Sequence, residues 1–182
     1  GHLDKGVRRE MTCRGAEAAL VEPPAIRTTT HSPEATAALA GRLARLLQGG
    51  ETLALTGGLG AGKTCFTQGL AEGLGVAEPV ASPTFLIHRS YQGRLRLHHF
   101  DFYRLADEWD LESIGFYDFQ AEQACSATVV EWADRFPGAL DMPLLRIAIR
   151  PGLCATDREI EIQGLGIGAA QWEEIVRIME NG

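Results

Sequence analysis

The chain has 182 residues, a formal net charge of −7 and an isoelectric point near 5.2, a balance that argues against an extended basic surface for direct nucleic-acid binding. Apolar content of 45% and charged content of 23% are those of a soluble globular fold. No apolar run reaches the roughly 18 residues that cross a bilayer, so no membrane role is expected. The cysteines at 13, 65, 125 and 154 form no C-x-x-C pair, which points to reduced cytoplasmic thiols and not to a zinc cage or disulfide framework.

Residues 1–24 show no sustained period and close on Pro23-Pro24. They read as a disordered or expression-derived tail, with Met11 a candidate natural start, and 25–182 as one domain. Ala25 to Thr30 reads as a first strand. Ser32-Pro33 then starts a helix, with Ser32 as N-cap and Pro33 in the first position, running to about Gln48. Its apolar side carries Ala38, Leu39, Leu43, Leu46 and Leu47. Glu51 to Thr56 reads as a buried strand, and Cys65 to Leu74 as a helix ended by Gly75.

Between them lies Thr56-Gly57-Gly58-Leu59-Gly60-Ala61-Gly62-Lys63-Thr64. Gly57, Gly62, Lys63 and Thr64 fit G-x-x-x-x-G-K-[ST], and the strand before and helix after are the context this motif requires. Glycines let the chain curl so that successive N–H groups converge on phosphate oxygens, and the helix adds unpaired N–H groups at its positive end. Lys63 supplies a compact charge for β- and γ-phosphates, and Thr64 a hard oxygen for Mg²⁺. Only Lys5 and Lys63 are lysines among the 17 basic residues, so an Arg-rich chain reserves lysine for this position. Cys65 reads as a packed helix thiol.

Phe85 to Tyr91 and Arg94 to Phe100 read as strands of a hairpin turning at Gln92-Gly93. An acidic helix over Ala106 to Ile114, a short helix over Asp118 to Ala124 and a strand over Ala127 to Trp132 follow. Leu144 to Arg150 and Arg158 to Gln163 are expected to pair, and Ala169 to Met179 is the last helix.

A phosphate loop needs acidic groups for Mg²⁺ at the end of an apolar strand beside the loop strand. Val129-Val130-Glu131 is the stronger candidate and Leu97-His98-His99-Phe100-Asp101 the second; either acid could instead be a helix cap or a surface charge. Strand alternation separates His98 from His99 and Asp101, which leaves too few ligands for a transition metal and makes the histidines structural or supporting. Ser82-Pro83-Thr84 lies where nucleotide-binding proteins keep a switch, with Thr84 in reach of a γ-phosphate or Mg²⁺; a proline-fixed strand start is the equal alternative. The only Asn is Asn181, so no guanine-reading N-K-x-D exists; D-x-x-G is absent too, and ATP is the expected nucleotide.

Together GGLGAGKT, Ser82-Pro83-Thr84-Phe85, His99-Phe100-Asp101-Phe102-Tyr103-Arg104-Leu105 and Val130-Glu131-Trp132 resemble the bacterial TsaE family, over about residues 26–165. Family loops usually carry Asp where Gly58 stands and Thr where Cys65 stands. The resemblance implies an α/β, P-loop NTPase-like three-layer fold with a mixed, mostly parallel central sheet flanked by helices. It implies an ATPase, weak alone and stimulated by TsaB and TsaD, needed for threonylcarbamoyladenosine modification beside the tRNA anticodon, with tRNA met only indirectly. By carry-over, the nucleotide would lie against Gly58, Leu59, Gly60, Ala61, Gly62, Lys63, Thr64 and Cys65, with Ser32, Trp132 and Arg158 nearby. Thr64, Glu131 and Asp101 would serve Mg²⁺, and Glu131, Lys63 and Thr84 catalysis. The acidic helix would face the partners. A small-molecule kinase and a nucleotide-gated module without turnover remain open alternatives.

Overall fold

The computed structural model describes residues 25–58, 60–81, 87–121 and 124–181. The expected tail, Leu59 and the segment Ser82-Pro83-Thr84 lie outside them. Seven strands form one sheet: β1 (Ile26–Thr30), β2 (Thr52–Thr56), β3 (His88–Tyr91), β4 (Arg96–Asp101), β5 (Ser126–Glu131), β6 (Leu144–Pro151) and β7 (Arg158–Leu165). Their spatial order is β1-β7-β6-β2-β5-β4-β3. The centre is parallel, with β2 between β5 and β6 and β4 beside β5; β1, β7 and β3 join antiparallel at the two sides. This is the α/β fold with a mixed sheet that the sequence implies.

Among the described residues five α-helices cover the sheet: α1 (Pro33–Leu46), α2 (Lys63–Gly73), α3 (Glu108–Ser113), α4 (Phe116–Ala121) and α5 (Ala169–Glu180). One core lies under α1, α2 and α5 and joins Leu39, Leu43, Phe66, Leu70 and Ile175 to Leu53, Leu55, Val129 and Ile147. The other lies beneath α3 and α4, where Leu111 and Phe116 meet Ala54, Phe100, Phe102 and Val130. Buried on both faces, β2 and β5 read as the near-continuous apolar runs that parallel strands need. Ser32 caps α1, its Oγ accepting from the Ala35 N–H at 3.0 Å, with Pro33 in the first position. Ala38, expected on the apolar side, is exposed; the buried stripe runs through Leu39, Ala40, Leu43 and Ala44.

Helices α1 and α2 cross backbone to backbone. A Cβ on Gly69 would stand 2.3 Å from the Ala37 carbonyl oxygen, and one on Gly73 would stand 2.5 Å from that of Gly41. The expected two-residue turn at Gln92-Gly93 is instead a longer connection, because Tyr91 pairs with Leu97. The chain between docks on the helix ends: Arg94 N–H donates to the Leu74 carbonyl at 2.7 Å, and its guanidinium to those of Ala44 and Leu47. Tertiary docking overrides the local turn preference.

On the α4 side, the His88 ring stacks on Phe100 with centroids 4.3 Å apart and meets Phe119 at the same distance. Burial, with repulsion from His98 and His99, lowers His88 to about 4 from an ordinary 6.5. Between those values the unfolded chain binds more protons than the folded one, so stability falls as pH drops through the window. Urea midpoints measured across it should decline less steeply in His88→Gln than in the parent; equal slopes would remove His88 as the cause.

Candidate functional site

Register brings the chemistry together. Thr56 ends β2, Glu131 ends the neighbouring β5 opposite Leu55, and Asp101 ends β4 directly opposite Glu131. All three strands point the same way, so the loop after β2 and the two carboxylates meet at one edge of the sheet. The loop then enters α2, whose N-cap Gly62 (φ +108°) gives no side-chain cap to the first-turn N–H groups. Those donors, with the positive end of the helix, face whatever binds there.

Gly60, Ala61, Gly62, Lys63, Thr64 and Cys65 line a cavity of about 400 Å³ with Asp101, Tyr103, Glu131 and Trp132. Of the residues singled out in the sequence, these gather at one place. Gly58 joins them through its carbonyl, which accepts from Lys63 Nζ at 2.8 Å; the Gly57 carbonyl accepts from the same ammonium. Arg158 and Cys65 line a smaller adjoining pocket of about 100 Å³ with Pro33, Thr36 and Thr156. There the Arg158 guanidinium ties the chain together, donating to the carbonyls of Ala155, Asp157 and Gly60. Ser32 stands apart, its hydroxyl oxygen engaged as the α1 cap. Leu59 and Thr84 lie outside the described residues.

Lys63, Asp101 and Glu131 are all buried. Burial pulls the Lys63 ammonium below its ordinary value, and Glu131, Asp101 and Asp134 push it back up. Burial raises the Asp101 carboxyl; the Tyr103 N–H, donating to it at 2.9 Å, opposes the rise, and Glu131 adds to it. Lys63 Nζ also lies 4.1 Å from the Trp132 ring centroid. Trp132 holds that place in a left-handed conformation (φ +57°), uncommon for a large side chain and enriched at functional sites. Burial raises the Cys65 thiol, which donates to the Pro33 carbonyl at 3.1 Å; it is a packed thiol.

Two buried carboxylates face one ammonium, and the Thr64 hydroxyl and the first-turn N–H groups of α2 complete a mainly hard set of donors beside the packed Cys65 thiol. That set fits a divalent cation such as Mg²⁺ held jointly with phosphates and water. Among the described residues no three His, Cys, Asp or Glu side chains cluster as a self-sufficient metal site. Thr64, Asp101 and Glu131 would therefore share the cation with its ligand. Tyr103, which the sequence places in the His99–Leu105 motif without a role of its own, joins the site with its ring 4.9 Å from that of Trp132.

A family model described as "Threonylcarbamoyl adenosine biosynthesis protein TsaE" matches residues 30–160. The chain belongs to the TsaE family. This family takes part in tRNA threonylcarbamoyladenosine biosynthesis. The TsaE of Treponema pallidum is 39% identical over 140 residues, 75% of this chain and 99% of that protein. The TsaE of Bacillus subtilis is 40% identical over 144 residues, 79% of this chain and 87% of that protein. The crystal structure of Bacillus subtilis YdiB matches with a TM-score of 0.70 and 31% identity, over 87% of this chain and 96% of that one. Where TsaE loops usually carry Asp, a Cβ on Gly58 would meet nothing within 4 Å, so space does not explain this chain's glycine.

Gly57 contrasts with Gly58. Its φ is +149°, and a Cβ there would lie 2.5 Å from the Ile149 carbonyl oxygen. Gly57→Ala should lower stability by about 1–3 kcal/mol, whereas Gly58→Ala should stay within about 0.5 kcal/mol. Urea unfolding of the two variants checks this; equal midpoints would contradict it.

Proposed function

We propose that this chain binds ATP with Mg²⁺ and hydrolyses it, as a cytoplasmic subunit working with TsaB and TsaD in tRNA threonylcarbamoyladenosine modification. Family membership supplies the setting. The observation that carries the nucleotide reading is the single cavity in which the α2 N-terminus and Lys63 face the Asp101–Glu131 pair. No described helix is long and apolar enough to cross a bilayer.

Phosphoryl transfer to water asks for positioning and charge neutralisation. Backbone N–H groups at the start of α2 would orient the phosphates. Lys63 would leave the Gly57 and Gly58 carbonyls and pair with the β- and γ-oxygens. Thr64, Asp101 and Glu131 would hold Mg²⁺, which when bound neutralises phosphate charge. Glu131 would also hold the attacking water, while Trp132 and Tyr103 screen that side from solvent. Thr84 is the proposed switch residue.

Lys63→Ala should cut phosphate release from ATP–Mg²⁺ by about 100-fold or more. Glu131→Ala should retain nucleotide binding and lose about 10²–10⁴-fold in turnover. Phosphate-release assays with and without TsaB–TsaD decide both. An unaltered rate in Glu131→Ala would remove that residue from the reaction, and release stimulated by a metabolite instead of the partners would favour a kinase.

The partner-facing surface in this reading is the segment around α3. Trp109 is 73% exposed there, between the carboxylates of Asp107, Glu108, Asp110 and Glu112. An acidic protein that meets tRNA only through partners needs such a contact. Charge reversal at Glu108 and Glu112 should weaken partner-stimulated release and spare basal release; unchanged stimulation would discard the surface.

A further inference from the structure

We infer that His99 is a positioning residue for Glu131, its buried Nε2–H holding one carboxylate oxygen so that the other serves the cavity. The inference rests on the proposed role of Glu131. The two side chains meet at 2.6 Å, Nε2 to Oε2, with side-chain exposures of 0% and 4%. His99 pairs with Val129 in the sheet, one side-chain step before the Asp101–Glu131 pair on the same face. The ring therefore reaches Glu131 from inside the core, and the end facing the phosphate loop stays open.

The surroundings of His99 give the ring little other reason to be there. Its neighbours on that face are Leu97, Val129, Leu53 and Leu55, all fully buried. A polar ring in such a stripe is costly unless its polar atoms are bonded. Among the described residues His99 Nδ1 has no hydrogen-bond partner, so one ring nitrogen is left unsatisfied. A leucine at this position would fill the stripe with no orphan. What the histidine supplies in return is the single bond to Glu131. A carboxylate oxygen accepts, so Nε2 carries the proton; a proton on Nδ1 as well would be a buried donor without an acceptor. Groups that orient metal-binding and reacting carboxylates commonly take this form.

The test compares His99→Leu, which removes the donor, with His99→Gln, whose amide N–H can reach the same oxygen. Each is made in the parent and in Glu131→Gln. His99→Leu should lower kcat for phosphate release about 10–100-fold with little change in KM, and weaken Mg²⁺ binding read from tryptophan fluorescence of the nucleotide complex. His99→Gln should recover most of both. In Glu131→Gln, adding His99→Leu should not weaken Mg²⁺ binding further. Equal losses in His99→Leu and His99→Gln, or equal weakening in both backgrounds, would make His99 a packing residue and overturn the inference. So would unchanged kcat and Mg²⁺ binding in His99→Leu. Ring-nitrogen NMR of the ligand-free protein tests the bond without turnover: a protonated Nε2 and bare Nδ1 that change in Glu131→Gln support it, and no change there overturns it. A parent chain that shows this signature yet neither binds nor hydrolyses nucleotide would sink the ATPase reading while leaving the bond intact.

Discussion

Parallel pairing of β2, β5 and β4 in one register is the constraint from which the site follows. Side chains on a strand alternate, so a slip of one residue would send Glu131 or Asp101 to the opposite face of the sheet. The register is held by burial on both faces: Leu53, Leu55 and Val129 serve one core, and Ala54, Phe100 and Val130 the other. The two carboxylates thus arrive side by side at the strand ends, next to the loop that begins where β2 stops.

The electrostatics follow from that placement. Taking two acids and one lysine out of water is unfavourable unless each finds a partner. Lys63 finds two loop carbonyls and the face of Trp132, Asp101 the Tyr103 N–H, and Glu131 the His99 ring. Each of these partners is weaker than a full ionic contact with a polyphosphate and its cation. In the proposed function, Lys63 would exchange its loop carbonyls for phosphate oxygens, while Glu131 would keep the His99 bond and offer its other oxygen to the cation.

Much of this was legible in the residues. The phosphate loop, the strand ending in Glu131 and the helix capped by Ser32 each depend on local rules of spacing and capping. The order of the strands does not, and neither does the Asp101–Glu131 pairing, which joins positions 30 residues apart in sequence. The hairpin of β3 and β4 is present, but its connection is longer than local preference implies because Arg94 is drawn to the ends of α1 and α2, a long-range contact that no turn rule records. The residues alone leave the histidines as structural or supporting, and the partner of His99 shows only once β4 and β5 lie side by side.

The glycine-lined crossing of α1 and α2 has a mechanical meaning. Where main chains touch directly, as at Gly69 against Ala37 and Gly73 against Gly41, there are no side chains to slide past one another. The two helices therefore sit as close as main chains allow, with no room for a side chain between them at these points. The floor on which a polyphosphate would rest is thus braced main chain against main chain, and among the described residues the Lys63 arm and the Trp132 ring are what overhang it.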